Sequence, residues 1–402
     1  MQDAIQQLRI AQYTYALPDE RIARYPLEAR DASKLLIYKD GDISEDHYYG
    51  LHQHLEPGTM LVFNNTKVIP ARLQFVKPSG GVVEVFCLEP LHDQASGMTQ
   101  QGEVVWKCLV GGAKKWKSGA LTLENGPICL YAHWEDKENN LVRFQWTPET
   151  ATFAEVLEVL GSVPLPPYLA RPAEAADRTR YQTIYARYDG SVAAPTAGLH
   201  FTERMFDQLA EKGIARAHLT LHVGAGTFKP VKSETIGEHD MHAEYFDVPL
   251  ETIKNLRLQF QIGNVVAVGT TTLRTLESLF LMGSKLLHQP NLDLPALEIK
   301  QWDAYAPEHT HTTVLAAFDA LIEWMEANAQ DRIVAKTQLM IAPGYRVRTI
   351  LALVTNFHQP NSTLLLLVAA LVGDDWRRIY QYALDHDFRF LSYGDGSLLF
   401  NT

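Results

Sequence analysis

Hydrophobic and polar positions alternate strictly through residues 215–223. Ala215, Ala217, Leu219, Leu221 and Val223 form one set; Arg216, His218, Thr220 and His222 form the other. A period of two is that of a half-buried strand, so a strand is expected over Ala215–Val223. Just upstream, Thr202 suits the N-cap of a helix and Gly213 its stop. Apolar runs at Leu35–Tyr38, Met60–Asn64, Val265–Val268 and Ile350–Thr355 read as further strands. After the third of these, Gly269-Thr270-Thr271-Thr272 opens a helical stretch through Leu279. Another helix starts over Thr363–Leu371, with Ser362 or Asn361 as its cap. Strands alternating with helices predict an α/β body with some parallel strands.

The pattern changes between about residues 73 and 150. Val82–Leu88, Val104–Val110, Ala120–Leu123, Ile128–Ala132 and Leu141–Trp146 are short β-rich runs separated by Gly, Asn and Lys clusters. Such spacing predicts a small barrel or sandwich. The segment from about 283 to 335 is polar and irregular apart from one helix, Thr313–Ala327, and reads as an insertion.

The three cysteines, Cys87, Cys108 and Cys129, form no CxxC pair and all fall in the β-rich region. They read as small buried apolar residues rather than a disulfide framework or zinc ribbon. The start, Met-Gln-Asp-Ala-Ile-Gln, shows no signal peptide, and the apolar run Leu364–Val372 is too short to span a bilayer. A cytoplasmic protein without membrane contact is expected. No coiled-coil seam is evident, so a monomer is the expected state. The formal charge of −11 disfavours nucleic-acid binding by the molecule as a whole, so any RNA partner requires a local basic patch.

Polar clusters recur at strand ends, where α/β sheets bind ligands. Ala194-Pro195-Thr196-Ala197-Gly198-Leu199-His200-Phe201 precedes a helix whose N-terminus suits an anion. His222-Val223-Gly224-Ala225-Gly226-Thr227-Phe228 resembles half of a dinucleotide fingerprint, but Lys229 stands where the third glycine belongs, which excludes a Rossmann oxidoreductase. Gly269–Arg274 offers hydroxyls and backbone N–H groups at a helix start. Arg274 and Glu277, three residues apart, are expected to pair on the helix face. Thr355-Asn356-Phe357-His358 lies just before a helix. His239, His242 and Glu244 match no common zinc spacing, so no metal is expected. Lys114-Lys115-Trp116-Lys117 combines charge with an aromatic ring and suits either RNA or a solvated turn.

Taken in order, Arg30-Asp31-Ala32-Ser33, Phe63–Arg72, Tyr181-Gln182-Thr183, Ala194–Phe201, Leu221–Phe228, Met241–Glu244, Gly269–Glu277, Pro343-Gly344-Tyr345, Thr355–Thr363 and Tyr393-Gly394-Asp395 resemble the motifs of the S-adenosylmethionine:tRNA ribosyltransferase-isomerases. The likeness spans about residues 15 to 397. Asn65 departs from it where an aspartate is usual, and Asn361 where a lysine is frequent.

The resemblance implies an α/β main domain, over 1–72 and 151–402, carrying a small β-barrel domain over 73–150. It implies transfer of the ribosyl part of S-adenosylmethionine to 7-aminomethyl-7-deazaguanine at the tRNA wobble position. The product is epoxyqueuosine, with adenine and methionine released. S-adenosylmethionine is then a substrate, and no cofactor is expected. Proton transfers at ribose C5′, at adenine and at the aminomethyl group need bases and acids within hydrogen-bond reach. His222, His242, His200 and His358 are the candidates, with Glu244 to hold the incoming ammonium. The expected substrate-binding residues are Arg30, Asp31, Asn64, Thr66, Thr196, Gly198, Phe201, Gly224, Gly226, Thr227, Phe228, Thr270, Thr271, Arg274 and Asn356. Phe201 or Phe228 would lie against the sulfonium. Lys67, Arg72, Lys114, Lys115 and Lys117 would form the RNA-binding face. Alternatives are the same chemistry on another acceptor, and a non-catalytic paralogue that binds S-adenosylmethionine or RNA.

Overall fold

The computed structural model describes residues 2–91, 94–224, 231 and 233–401. Its centre is a nine-stranded sheet. Four strands, Ala215–His222, Met60–Asn64, Val265–Val268 and Ala352–Asn356, lie side by side and parallel. Gly396–Phe400 runs antiparallel to the last of these, followed by Lys34–Lys39 and the edge strand Asp42–His47. On the other side Glu244–Pro249 pairs antiparallel with Ala215–His222, and Arg332–Thr337 forms the edge.

Met60–Asn64, Val265–Val268 and Ala352–Asn356 are buried along their whole length. This is the expected signature of parallel strands covered on both faces. On one face Val62, Leu219, Leu221, Ala267 and Leu353 pack with Leu273, Leu276 and Phe280 of helix Thr270–His288, and with Leu365 and Val368 of helix Thr363–Val372. On the other, Leu61, Phe63, Val266 and Val354 meet Phe201, Met205, Phe206 and Leu209 around helix Glu203–Glu211. The expected caps are present. Thr202 accepts from Met205 N–H, Ser362 accepts from Leu365 N–H at 3.2 Å, and Gly213 follows the first helix with φ +73°.

The segment 283–335 supplies more than its one expected helix. Helix Val314–Ala327 packs against Thr270–His288 so closely that a Cβ on Gly283 would lie 1.9 Å from the Ala317 carbonyl. Leu297, Ile299, Phe318 and Leu321 belong to the principal core, and the segment runs into the edge strand Arg332–Thr337.

The β-rich region forms a six-stranded antiparallel sheet in the order Arg72–Val76, Val82–Pro90, Glu103–Gly111, Leu141–Thr147, Ile128–Asp136, Leu121–Asn125. Its two edge strands approach within 8 Å between Cα atoms, so the sheet nearly closes into a barrel. Trp106, Phe144 and Trp146 fill the interior with Phe153 of the following helix, Phe153–Leu160. Cys87 and Cys108 are buried opposite one another on paired strands, and Cys129 is half-buried. Among the described residues no helix is long and apolar enough to cross a membrane.

Candidate functional site

All four parallel strands end on the same edge of the sheet, at Asn64, His222, Val268 and Asn356. Asn64 fastens that edge. Its amide donates to the Leu221 carbonyl at 2.9 Å and to Thr271 Oγ1 at 3.3 Å, and its oxygen accepts from Thr66 N–H at 3.1 Å and Leu221 N–H at 3.0 Å. After Val268 the chain turns at Gly269, whose φ of +91° favours glycine, and enters helix Thr270–His288 with no side-chain cap.

The uncapped first turn helps to wall a cavity at the strand ends. Tyr168, Thr196, Thr270, Thr271, Asn356 and His358 line it. Asn356 Oδ1 accepts from Thr196 Oγ1 at 2.8 Å, which joins the 194–201 loop to the end of a central strand. His358 places Nε2 2.9 Å from Thr355 Oγ1. Its backbone is pinned twice: its N–H donates to the Tyr380 hydroxyl oxygen at 3.1 Å, and the Tyr15 hydroxyl donates to its carbonyl. Burial lowers the His358 imidazole to about 3, so the ring is neutral at neutral pH.

A second cavity adjoins the first: Leu364 lines both, and Val223 and Gly224, neighbours in the chain, line one each. His239, His242, Glu244 and Arg274 bring the polar groups, while Met241 and Met340 are among the apolar ones. Glu244 Oε1 accepts from Gly224 N–H at 3.3 Å, and its other oxygen is paired with Arg274 Nη1. Arg274 Nε donates to the Leu339 carbonyl at 3.2 Å. Arg274 does not pair with Glu277 as the helix spacing suggested. Glu277 instead accepts from the Tyr345 hydroxyl, the N–H groups of Arg348 and Thr349, and Thr349 Oγ1.

The structure thus gathers Thr196, Thr270, Thr271, Asn356 and His358 around one cavity and Gly224, His242, Glu244 and Arg274 around its neighbour. Other expected ligand contacts are occupied internally. Asn64 uses both donors and both acceptor directions on neighbouring strands and Thr271. Arg30 donates to the carbonyls of Gln182, Leu199 and Thr179, and Asp31 binds Thr202 and Arg204. Phe201 is fully buried among Phe63, Phe206 and Tyr48 and lines neither cavity. Gly198 is needed because a Cβ there would sit 1.9 Å from the Tyr185 hydroxyl. His200 stacks on Tyr48 and lies 3.3 Å from the amide of Asn356, a residue of the cavity wall. His222 faces away from Val223 and holds Thr66 Oγ1 at 3.0 Å, which removes both Thr66 and His222 from the cavity walls. Gly226, Thr227 and Phe228 lie outside the described residues.

Asn65, one of the two departures from the family pattern, accepts from Thr220 Oγ1 at 2.7 Å and lines a different groove, beside Arg187 and Arg216. Asn361, the other, has φ +54°, a conformation that asparagine tolerates. Of the expected RNA-binding residues, Lys67 is paired with Asp189 at 3.1 Å and Arg72 with Glu84 at 3.6 Å. Lys114, Lys115 and Lys117 are exposed and form no ion pair among the described residues. Trp116 between them is buried against Trp134, so it stacks on a protein ring and not on a base. Tyr168 was not singled out in the sequence. Its hydroxyl lies 2.5 Å from Ser392 Oγ, a partner 224 residues away that no local pattern announces.

The family model described as queuosine biosynthesis protein matches residues 10–399. This chain belongs to that family. The S-adenosylmethionine:tRNA ribosyltransferase-isomerase of Halothermothrix orenii is 37% identical over 399 residues, covering 98% of this chain and 100% of the relative. The Thermotoga maritima protein of the same name is 38% identical, with the same coverage of each chain. A crystal structure of an S-adenosylmethionine tRNA ribosyltransferase from that organism aligns over 96% of this chain and 99% of the other, at 28% identity and a TM-score of 0.47.

Proposed function

We propose that this chain is an S-adenosylmethionine:tRNA ribosyltransferase-isomerase. It transfers and isomerises the ribosyl group of S-adenosylmethionine onto 7-aminomethyl-7-deazaguanine in tRNA, giving epoxyqueuosine and releasing adenine and methionine. The observation that carries this reading is the end-to-end likeness to relatives of that name. Support comes from two adjoining cavities at the strand ends, lined by residues of the family's motifs.

The sulfonium acidifies the C5′ hydrogens, and departing adenine needs a hydrogen-bond donor. Both demands fall on groups within reach of the ribose. In the first cavity Thr196, Thr270, Thr271 and Asn356 offer hydroxyls, an amide and helix N–H groups to the nucleoside. The neutral His358 supplies a hydrogen bond without adding a charge beside the sulfonium. His242 is the proton carrier on the second side. S-adenosylmethionine is a substrate here, and the reaction calls for no cofactor. The protein acts in the cytoplasm, as a monomer, on tRNA.

The deciding experiment is adenine release from S-adenosylmethionine with and without tRNA bearing 7-aminomethyl-7-deazaguanine. Release should depend on the modified tRNA and leave epoxyqueuosine in the RNA. Absence of release while S-adenosylmethionine still binds would refute the reading. RNA docking is assigned to Lys114, Lys115 and Lys117. Replacing all three with Gln should weaken tRNA binding and flatten the plot of log K against log salt by roughly two to three units of slope. An unchanged slope would remove this turn from the interface.

A further inference from the structure

One buried polar group near the proposed site has no partner. Arg274 is only 9% exposed in its side chain, and Nε and Nη1 are both used. Among the described residues its Nη2 has no hydrogen-bond partner. A buried guanidinium N–H left unmade is costly, and such groups are rare in native proteins. Arg274 lines the second cavity. Its partner Glu244, equally buried, accepts on one oxygen from Gly224 N–H and on the other from Arg274, which leaves each oxygen one further acceptor direction.

We infer that the Glu244–Arg274 pair is a receptor for an amino-acid zwitterion, with Arg274 Nη2 taking the α-carboxylate and Glu244 the α-ammonium. This rests on the proposed function, and the zwitterion is then the methionine part of S-adenosylmethionine. Three features favour a zwitterion over a simple anion. First, the ion pair is neutral, so a zwitterion keeps the buried site neutral, whereas a lone carboxylate would leave an uncompensated charge in an apolar enclosure. Second, Met241, Leu339, Met340, Ile341 and Leu367 surround the pair, an environment suited to a short aliphatic chain carrying sulfur. Third, the cavity adjoins the hydroxyl-rich one across Leu364, so one molecule can place its amino acid in one and its nucleoside in the other. Glu244 is thereby assigned to the donor's ammonium, and not to the aminomethyl group of the acceptor.

The test compares calorimetric binding of S-adenosylmethionine with that of its decarboxylated analogue, which keeps the adenosine, sulfonium and amine. The wild-type protein should prefer S-adenosylmethionine by about tenfold or more, the usual worth of a charge-assisted hydrogen bond. Arg274→Lys keeps a cation for Glu244 but removes Nη2, so the preference should fall towards one, with the loss confined to S-adenosylmethionine. Glu244→Gln is the second variant, and decides the matter if Arg274→Lys does not fold. It should narrow the preference for S-adenosylmethionine over an analogue lacking the α-amino group. Equal wild-type affinity for the acid and its decarboxylated analogue overturns the inference, as does an equal loss of both in a folded Arg274→Lys. If adenine release still occurs in such a case, the proposed function stands and only the receptor fails. If the wild type binds no S-adenosylmethionine and releases no adenine with the modified tRNA, both fall.

Discussion

Lowering the pH from about 7 to about 5 is expected to cost this fold several kcal/mol, because the buried His200 and His358 and the half-buried His222 must stay neutral for it to form. Burial lowers His200 and His358 to about 3 and His222 to about 4, from an ordinary value of 6.5; at His222 the Asp189 carboxylate partly opposes the shift. The unfolded chain takes up these protons below about pH 6.5, while the folded chain refuses them until about pH 3 to 4. Between those limits the unfolded state binds more protons. Stability is therefore complete above the unfolded value and falls with decreasing pH through the window. Each such histidine contributes a slope of about 1.4 kcal/mol per pH unit. Denaturant unfolding at a series of pH values measures it. His358→Gln should remove about a third of the slope. A stability that stays flat from about pH 7 to about pH 5 would show that these rings accept protons in place.

Glu277→Ala is expected to destabilise the protein by about 3–5 kcal/mol, the usual cost of leaving a buried charged network without its centre. The carboxylate is fully buried. It accepts from Arg348 N–H at 2.9 Å, Thr349 N–H at 2.8 Å, Thr349 Oγ1 at 2.7 Å and the Tyr345 hydroxyl. It ties helix Thr270–His288, whose first turn walls the first cavity, to the chain that enters strand Ala352–Asn356. Its loss should lower the thermal midpoint and weaken S-adenosylmethionine binding together. Glu277→Gln retains one acceptor oxygen and should lose less. A Glu277→Ala protein as stable as the wild type would mean that water replaces the carboxylate. Arg274, one turn earlier on the same helix, faces the second cavity, so this helix serves the fold with one buried charge and the site with the other.

The chain's own pattern determined the placement of the site in outline. Strand Met60–Asn64 and strand Val265–Val268 were readable because fully buried parallel strands are continuous apolar runs, bounded here by Asn and Gly. The alternation over 215–223 and the caps Thr202 and Ser362 are local signals, set by backbone geometry within a few residues. Strands at the margins were missed. Asp42–His47, with its half-polar sequence, and Arg332–Thr337 lie at the edges of the sheet, where burial imposes little pattern. Glu244–Pro249 and Gly396–Phe400 depend on partners far along the chain.

What the tertiary structure alone decided is which polar residue at a strand end is free to meet a ligand. The family resemblance placed Asn64, Asp31, His200, Thr196 and Arg274 alike at the substrate, as binding or proton-transfer candidates. Folding spends Asn64 on neighbouring strands, Asp31 on Thr202 and Arg204, and His200 on Asn356, through contacts 150 or more residues apart. It also replaces the local Arg274–Glu277 pair with two long-range networks, because a surface pair on a helix gains only a few tenths of a kcal/mol while a buried charge must be satisfied wherever its partners are. Local pattern fixes where strands and helices begin and end. The solvation of each polar group depends on the whole surrounding shell, and that shell exists only once the chain has closed on itself.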